Sequence, residues 1–139
     1  MKIEWTEEYS VKVKEFDEQH KQLFELMIKF DDAIKQEGLR ARCENIIEEM
    51  NKYTVYHFRA EEKYFNKLKY PQSKEHKKKH DEYKVLAVQY KKQLNSTIAD
   101  DDLLDFAYKI LDFLEDWWVH HILHEDMKYS KFFNDKGLN

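Results

Sequence analysis

Glycine and proline are nearly missing from this sequence, with two glycines and one proline in 139 residues, where average usage would give roughly 12% for the two types together. Turn-rich β-sandwiches and barrels are thereby disfavoured, because they need punctuation about every 8–12 residues and Gly38, Pro71 and Gly137 are the only strong breakers. Cysteine is represented by Cys43 alone, so neither an internal disulfide nor a Cys-x-x-Cys-His haem attachment can form. Long apolar runs are missing too. The longest, Val85-Leu86-Ala87-Val88, is far short of a membrane span, so no membrane partner is expected. The opening Met1-Lys2-Ile3-Glu4-Trp5 lacks the apolar core of a signal peptide, and the cytoplasm is the expected location. Excess positive charge is also lacking: 24 basic against 28 acidic side chains leave a net charge of −4, the wrong sign for binding a phosphate backbone. No nucleic acid is expected as a partner.

What is present is apolar and helical. Hydrophobic residues make up 42% and aromatics 15%, enough for one sizeable core, so a single domain over residues 1–139 is expected. Residues 1–17 alternate weakly through Val11 and Val13 and read as an N-terminal arm, ending at Asp17, which is placed to cap a helix from Glu18. Leu23, Phe24, Met27, Phe30 and Ile34 then recur at helical spacing up to Gly38, a C-terminal stop. A second stripe runs through Cys43, Ile46, Ile47, Met50, Tyr53, His57, Glu61 and Tyr64 and must fail before Pro71. Ser73 offers an N-cap to a third, carrying His76, His80, Tyr83, Ala87, Tyr90 and Leu94, and the pattern breaks after Asn95-Ser96-Thr97. Asp100-Asp101-Asp102 suits the positive end of a fourth helix with Leu103, Phe106, Ala107, Ile110, Phe113, Leu114, Trp117 and His121 on one face. The expected fold is all-α: an up-down-up-down antiparallel four-helix bundle over 18–126, with helices of about 20 residues and a C-terminal tail over 127–139.

Of seven histidines, His57, His76, His80 and His121 lie on these apolar stripes, and His20 lies one turn before Leu23 and Phe24. One inward histidine is ordinarily a core residue with a local hydrogen-bond partner. Five of them plus Glu61 in one small core are costly, at about 1–3 kcal/mol for each polar group left unpaired. A shared metal site satisfies all of them together. His57-x-x-x-Glu61 and His76-x-x-x-His80 each project two ligands from one helix face. Imidazole and carboxylate suit iron, zinc, copper or nickel, and five imidazoles exceed the needs of one tetrahedral zinc.

Taken in order, Trp5-x-x-x-Tyr9-Ser10-Val11-x-Val13-x-x-Phe16-Asp17-x-Gln19-His20, His57-Phe58-x-x-Glu61-Glu62, His76-x-x-x-His80 and Trp117-x-x-x-His121-Ile122-x-x-x-Asp126 resemble the bacterial hemerythrins over nearly the whole chain. The resemblance implies two iron ions with an oxo or hydroxo bridge, His76, His80 and His121 on one iron, His20 and His57 on the other, and Glu61 and Asp126 bridging. It implies dioxygen as the ligand, bound at an open position on the two-histidine iron. Phe24, Phe58 and Ile122 are candidates for an apolar wall there, with core packing the equal alternative. One position conflicts with helix geometry: five residues on an ideal helix set His121 and Asp126 about 140° apart, and Glu125 shares the His121 face better. The resemblance selects Asp126, which requires the helix to end or loosen after His121. His120 and His124 are then surface residues.

Reversible dioxygen binding for storage, delivery or scavenging is the first expectation. A di-iron oxidase or peroxidase-type enzyme and an oxygen-sensing module acting through a partner chain are the alternatives; a ferritin-like carboxylate oxidase is disfavoured, since no Glu-x-x-His occurs. A monomer is expected. Lys74 and Lys77-Lys78-Lys79 read as a solvated face, or more sharply as a docking patch for an acidic partner protein. Cys43 reads as core. Trp118, three residues before His121, either narrows the ligand pocket or packs toward Trp5.

Overall fold

The computed structural model describes residues 3–96 and 98–139; Thr97, part of the expected break after the third stripe, lies outside them. The main elements are α1 (Lys14–Ile34), α2 (Leu39–Leu68), α3 (Ser73–Ser96), α4 (Leu103–His121) and α5 (Met127–Asp135). α1 packs on α2 and α4, and α3 packs on the same two helices. This is an all-α four-helix bundle. Among the described residues there is no strand, and no helix is long and apolar enough to cross a membrane.

Breakers set the helix ends, with several differences from expectation. α1 begins at Lys14, not at Glu18. Asp17 does not cap it, because its carboxylate accepts from Ser10 Oγ at 2.6 Å and from the Val11 N–H at 2.8 Å. It fastens the arm instead, and Val11 and Val13 are fully buried. Gly38 does not close α1, which stops at Ile34; with φ +71 it is the residue from which α2 departs. No breaker follows until Pro71, so α2 runs for 30 residues, longer than the length expected, and ends on Lys69 in the left-handed region. Arg40 on α2 pins the α3–α4 connection, donating to the Leu94 carbonyl at 2.8 Å, the Ile98 carbonyl at 2.7 Å and Asp100 Oδ1 at 2.9 Å.

The apolar stripes meet in one core, with Leu23, Met27 and Phe30 of α1 against Cys43, Met50 and Phe58 of α2 and Ala107, Ile110 and Leu114 of α4. Burial pushes the Cys43 thiol up to about 11, as befits an unreactive packing residue. Beyond α4 the chain widens into a π-helical turn, Ile122–Asp126, and then continues as α5. The segment expected as a tail is therefore mostly helix. Tyr129 and Phe133 on α5 are fully buried against Phe16 and Phe65. α5 caps the bundle end that carries the histidines.

Candidate metal centre

Each inward stripe delivers its polar residues to one place. His20 comes from α1, His57 and Glu61 from α2, His76 and His80 from α3, His121 from the end of α4, and Asp126 from the π turn. All seven are 0–2% exposed. Their ligand atoms form two overlapping groups: Glu61 with His76, His80 and His121, and Glu61 with His20, His57 and Asp126, the atoms of each lying within 4.8 Å of one another. Glu61 Oε1 lies 3.2 Å from His80 Nε2, 3.4 Å from His57 Nε2 and 3.8 Å from His76 Nε2. Asp126 reaches both groups, with Oδ1 at 3.0 Å from His76 Nε2 and 3.1 Å from His121 Nε2, and Oδ2 at 3.1 Å from His20 Nε2.

These approaches are short but are not aligned as hydrogen bonds. The Nε2 atoms of His76, His80 and His121, Glu61 Oε1 and both Asp126 oxygens are buried with no hydrogen-bond partner. Buried polar groups are rarely left so, and nitrogen and oxygen lone pairs converging on shared points are what cations require. The donor set fits a pair of transition-metal ions. Five imidazoles around two carboxylates also set the proton balance. Burial and the nearby Asp126 push the Glu61 carboxyl up, yet His57, His80 and His76 outweigh them and hold it below its usual value. Burial likewise raises Asp126, and His121, His20 and His76 hold it well below the ordinary carboxylate range.

The outer ring nitrogens are held separately. His57 Nδ1 donates to Gln19 Oε1 at 2.6 Å, and His80 Nδ1 to Glu62 Oε2 at 2.8 Å. A carboxylate can only accept, so His80 Nδ1 carries a proton and Nε2 is turned inward. Burial pushes His57 down to about 3, and its inner Nε2 lies 3.1 Å from His20 Nε2. His80 differs: burial lowers it, but Glu61 and Glu62 outweigh that and raise it to about 9. Tyr129 donates to Glu61 Oε2 at 2.5 Å. None of Gln19, Glu62 or Tyr129 had been assigned a role from sequence. Gln19 and Glu62 each adjoin a candidate ligand, a signal open to reading, whereas Tyr129 lay in the supposed tail.

The π turn resolves the Asp126 conflict. Hydrogen bonding from i to i+5 widens the helix, so a five-residue step brings Asp126 under His121, while Glu125 stays outside in an ion pair with Lys128 at 3.5 Å. His120 and His124 are exposed. Phe58 stacks on His80 with centroids 3.7 Å apart at 8°. Trp118 is fully buried, its ring 5.9 Å from that of His57 and 5.6 Å from that of Phe58. Ile122 is buried in the π turn, whereas Phe24 packs edge-on against Tyr9.

The family model described as the hemerythrin HHE cation-binding domain matches residues 11–133. The chain belongs to the hemerythrin family. It is 27% identical over 128 residues to the bacteriohemerythrin of Clostridium acetobutylicum, covering 90% of this chain and 96% of that protein. With the hemerythrin-like protein of Naegleria gruberi it shares 30% identity over 126 residues, covering 91% and 89%. A wild-type hemerythrin crystal structure superposes with a TM-score of 0.81 at 28% identity, covering 93% of this chain and 95% of that one. The hemerythrin bundle thus accounts for the four helices.

Proposed function

We propose that this chain binds dioxygen reversibly at a non-haem di-iron centre, with His76, His80 and His121 holding one iron, His20 and His57 the other, and Glu61 and Asp126 spanning both. The observation that carries the reading is the set of seven buried side chains whose ligand atoms fall into two groups sharing Glu61, with the Nε2 atoms of His76, His80 and His121, Glu61 Oε1 and both Asp126 oxygens lacking hydrogen-bond partners. When bound, two ferrous ions supply reversible two-electron chemistry toward dioxygen.

The protein supplies position and seclusion. Gln19 and Glu62 fix the rotation of His57 and His80, and Tyr129 fixes Glu61. The group around His20 and His57 has one imidazole fewer than the other, which leaves room for an exogenous ligand. Trp118 and Phe58 wall that neighbourhood with apolar surface that keeps out water and competing anions. Storage, delivery or scavenging in the cytoplasm suits a lone, buried, reduced thiol.

Metal analysis is expected to give two irons per chain. The iron protein, reduced anaerobically, is expected to change its visible spectrum in air and to recover when oxygen is removed. One tightly held zinc, or oxygen consumed continuously with reductant, would replace this reading.

A further inference from the structure

A second pair of imidazoles lies on the opposite, solvent-facing side of the same helix end. The His120 and His124 rings face each other with centroids 4.4 Å apart at 37°, and both residues are exposed. Asp116, one turn earlier and also exposed, lines a surface groove with Leu86, Phe113, Trp117 and His120. His120 and His124 are four residues apart, the spacing that makes them neighbours on one helix face. Lys128, next in that row, is engaged by Glu125 at 3.5 Å.

We propose that His120 and His124 form a surface site for a divalent transition-metal ion of the zinc, copper and nickel class, separate from the buried centre. Imidazole nitrogen favours these ions over magnesium and calcium, which take all-oxygen surroundings. Two imidazoles leave the remaining coordination positions to solvent. Neither histidine belongs to the buried groups. A reporter is built in: Trp117 lines the same groove and its ring stacks on His121 with centroids 4.3 Å apart, so a paramagnetic copper ion at His120 lies close to an indole.

The test uses the iron-loaded chain, whose buried ligands are already engaged. Calorimetric titration with zinc chloride is expected to show one further ion per chain, and copper(II) is expected to quench tryptophan fluorescence with the same stoichiometry. His120→Gln and His124→Gln are each expected to weaken zinc binding about tenfold or more, and Asp116→Asn to leave it nearly unchanged. Iron content and helicity should be unchanged, because all three side chains are on the surface. No zinc uptake by the iron-loaded chain, or uptake and quenching that persist in the His120→Gln/His124→Gln double variant, would overturn the proposal.

Discussion

Glu62 shows how much of the centre depends on side chains that do not face it. Its carboxylate accepts a hydrogen bond from His80 Nδ1, which keeps the ring turned and makes Nε2 a better donor to a metal. Outer partners of this kind are typically worth about 10- to 100-fold in metal affinity. Glu62→Ala is therefore expected to lower iron affinity by about that factor with helix content intact, as read by competition with a chelator; unchanged retention of iron would deny Glu62 this role. Trp118 acts through volume. It is buried against His57 and Phe58, and Trp118→Leu should open space beside them. Faster azide binding and faster autoxidation are expected, whereas a well-folded Trp118→Leu protein with both rates unchanged would move Trp118 out of the ligand pocket.

The π turn is an element with a single task visible in the structure. An α-helical continuation would point Asp126 about 140° away from His121; the wider turn aims it at His20, His76 and His121 together. Asp126→Ala is expected to disrupt the iron pair, and Glu125→Ala to leave it nearly intact because Glu125 faces Lys128. Iron analysis of the two variants decides, and the reverse pattern would refute the assignment. α5 continues from the same turn, and its Tyr129 donates to Glu61 Oε2.

Across the whole molecule the buried histidines make the stability of the metal-free protein depend on pH in two opposed ways. Burial holds His57 near 3 and also lowers His121. Below about pH 6.5 the unfolded chain takes up protons at these histidines that the native state refuses, so stability falls as pH falls. His80, raised to about 9 despite burial by Glu61 and Glu62, keeps its proton when the unfolded histidine has lost it. Its contribution is full below about pH 6.5 and is lost between there and pH 9. Urea midpoints of chelator-treated protein are thus expected to peak near pH 6.5. A midpoint that climbs steadily from pH 6.5 to 9 would contradict the assignment of His80.

The sequence by itself determined the helices and most of the donors. With breakers only at Gly38, Pro71 and Gly137, the 3.6-residue period could run undisturbed, and a histidine or glutamate on an apolar stripe must point where the stripe points. His20, His57, Glu61, His76, His80 and His121 were legible for that reason, and all six are buried together. Asp126 was not legible from periodicity, because the i to i+5 register of the π turn carries no local propensity signal; it depends on what the turn must pack and pair inside. The same holds for Asp17, whose carboxylate suits a helix cap equally well in sequence but is taken by the arm. It holds again for Tyr129, which reads as a residue of the C-terminal tail until α5 packs against the bundle. Periodicity is a property of one helix and can be read along the chain, whereas a hydrogen bond between residues 68 apart, such as Tyr129 to Glu61, exists only once the bundle has closed.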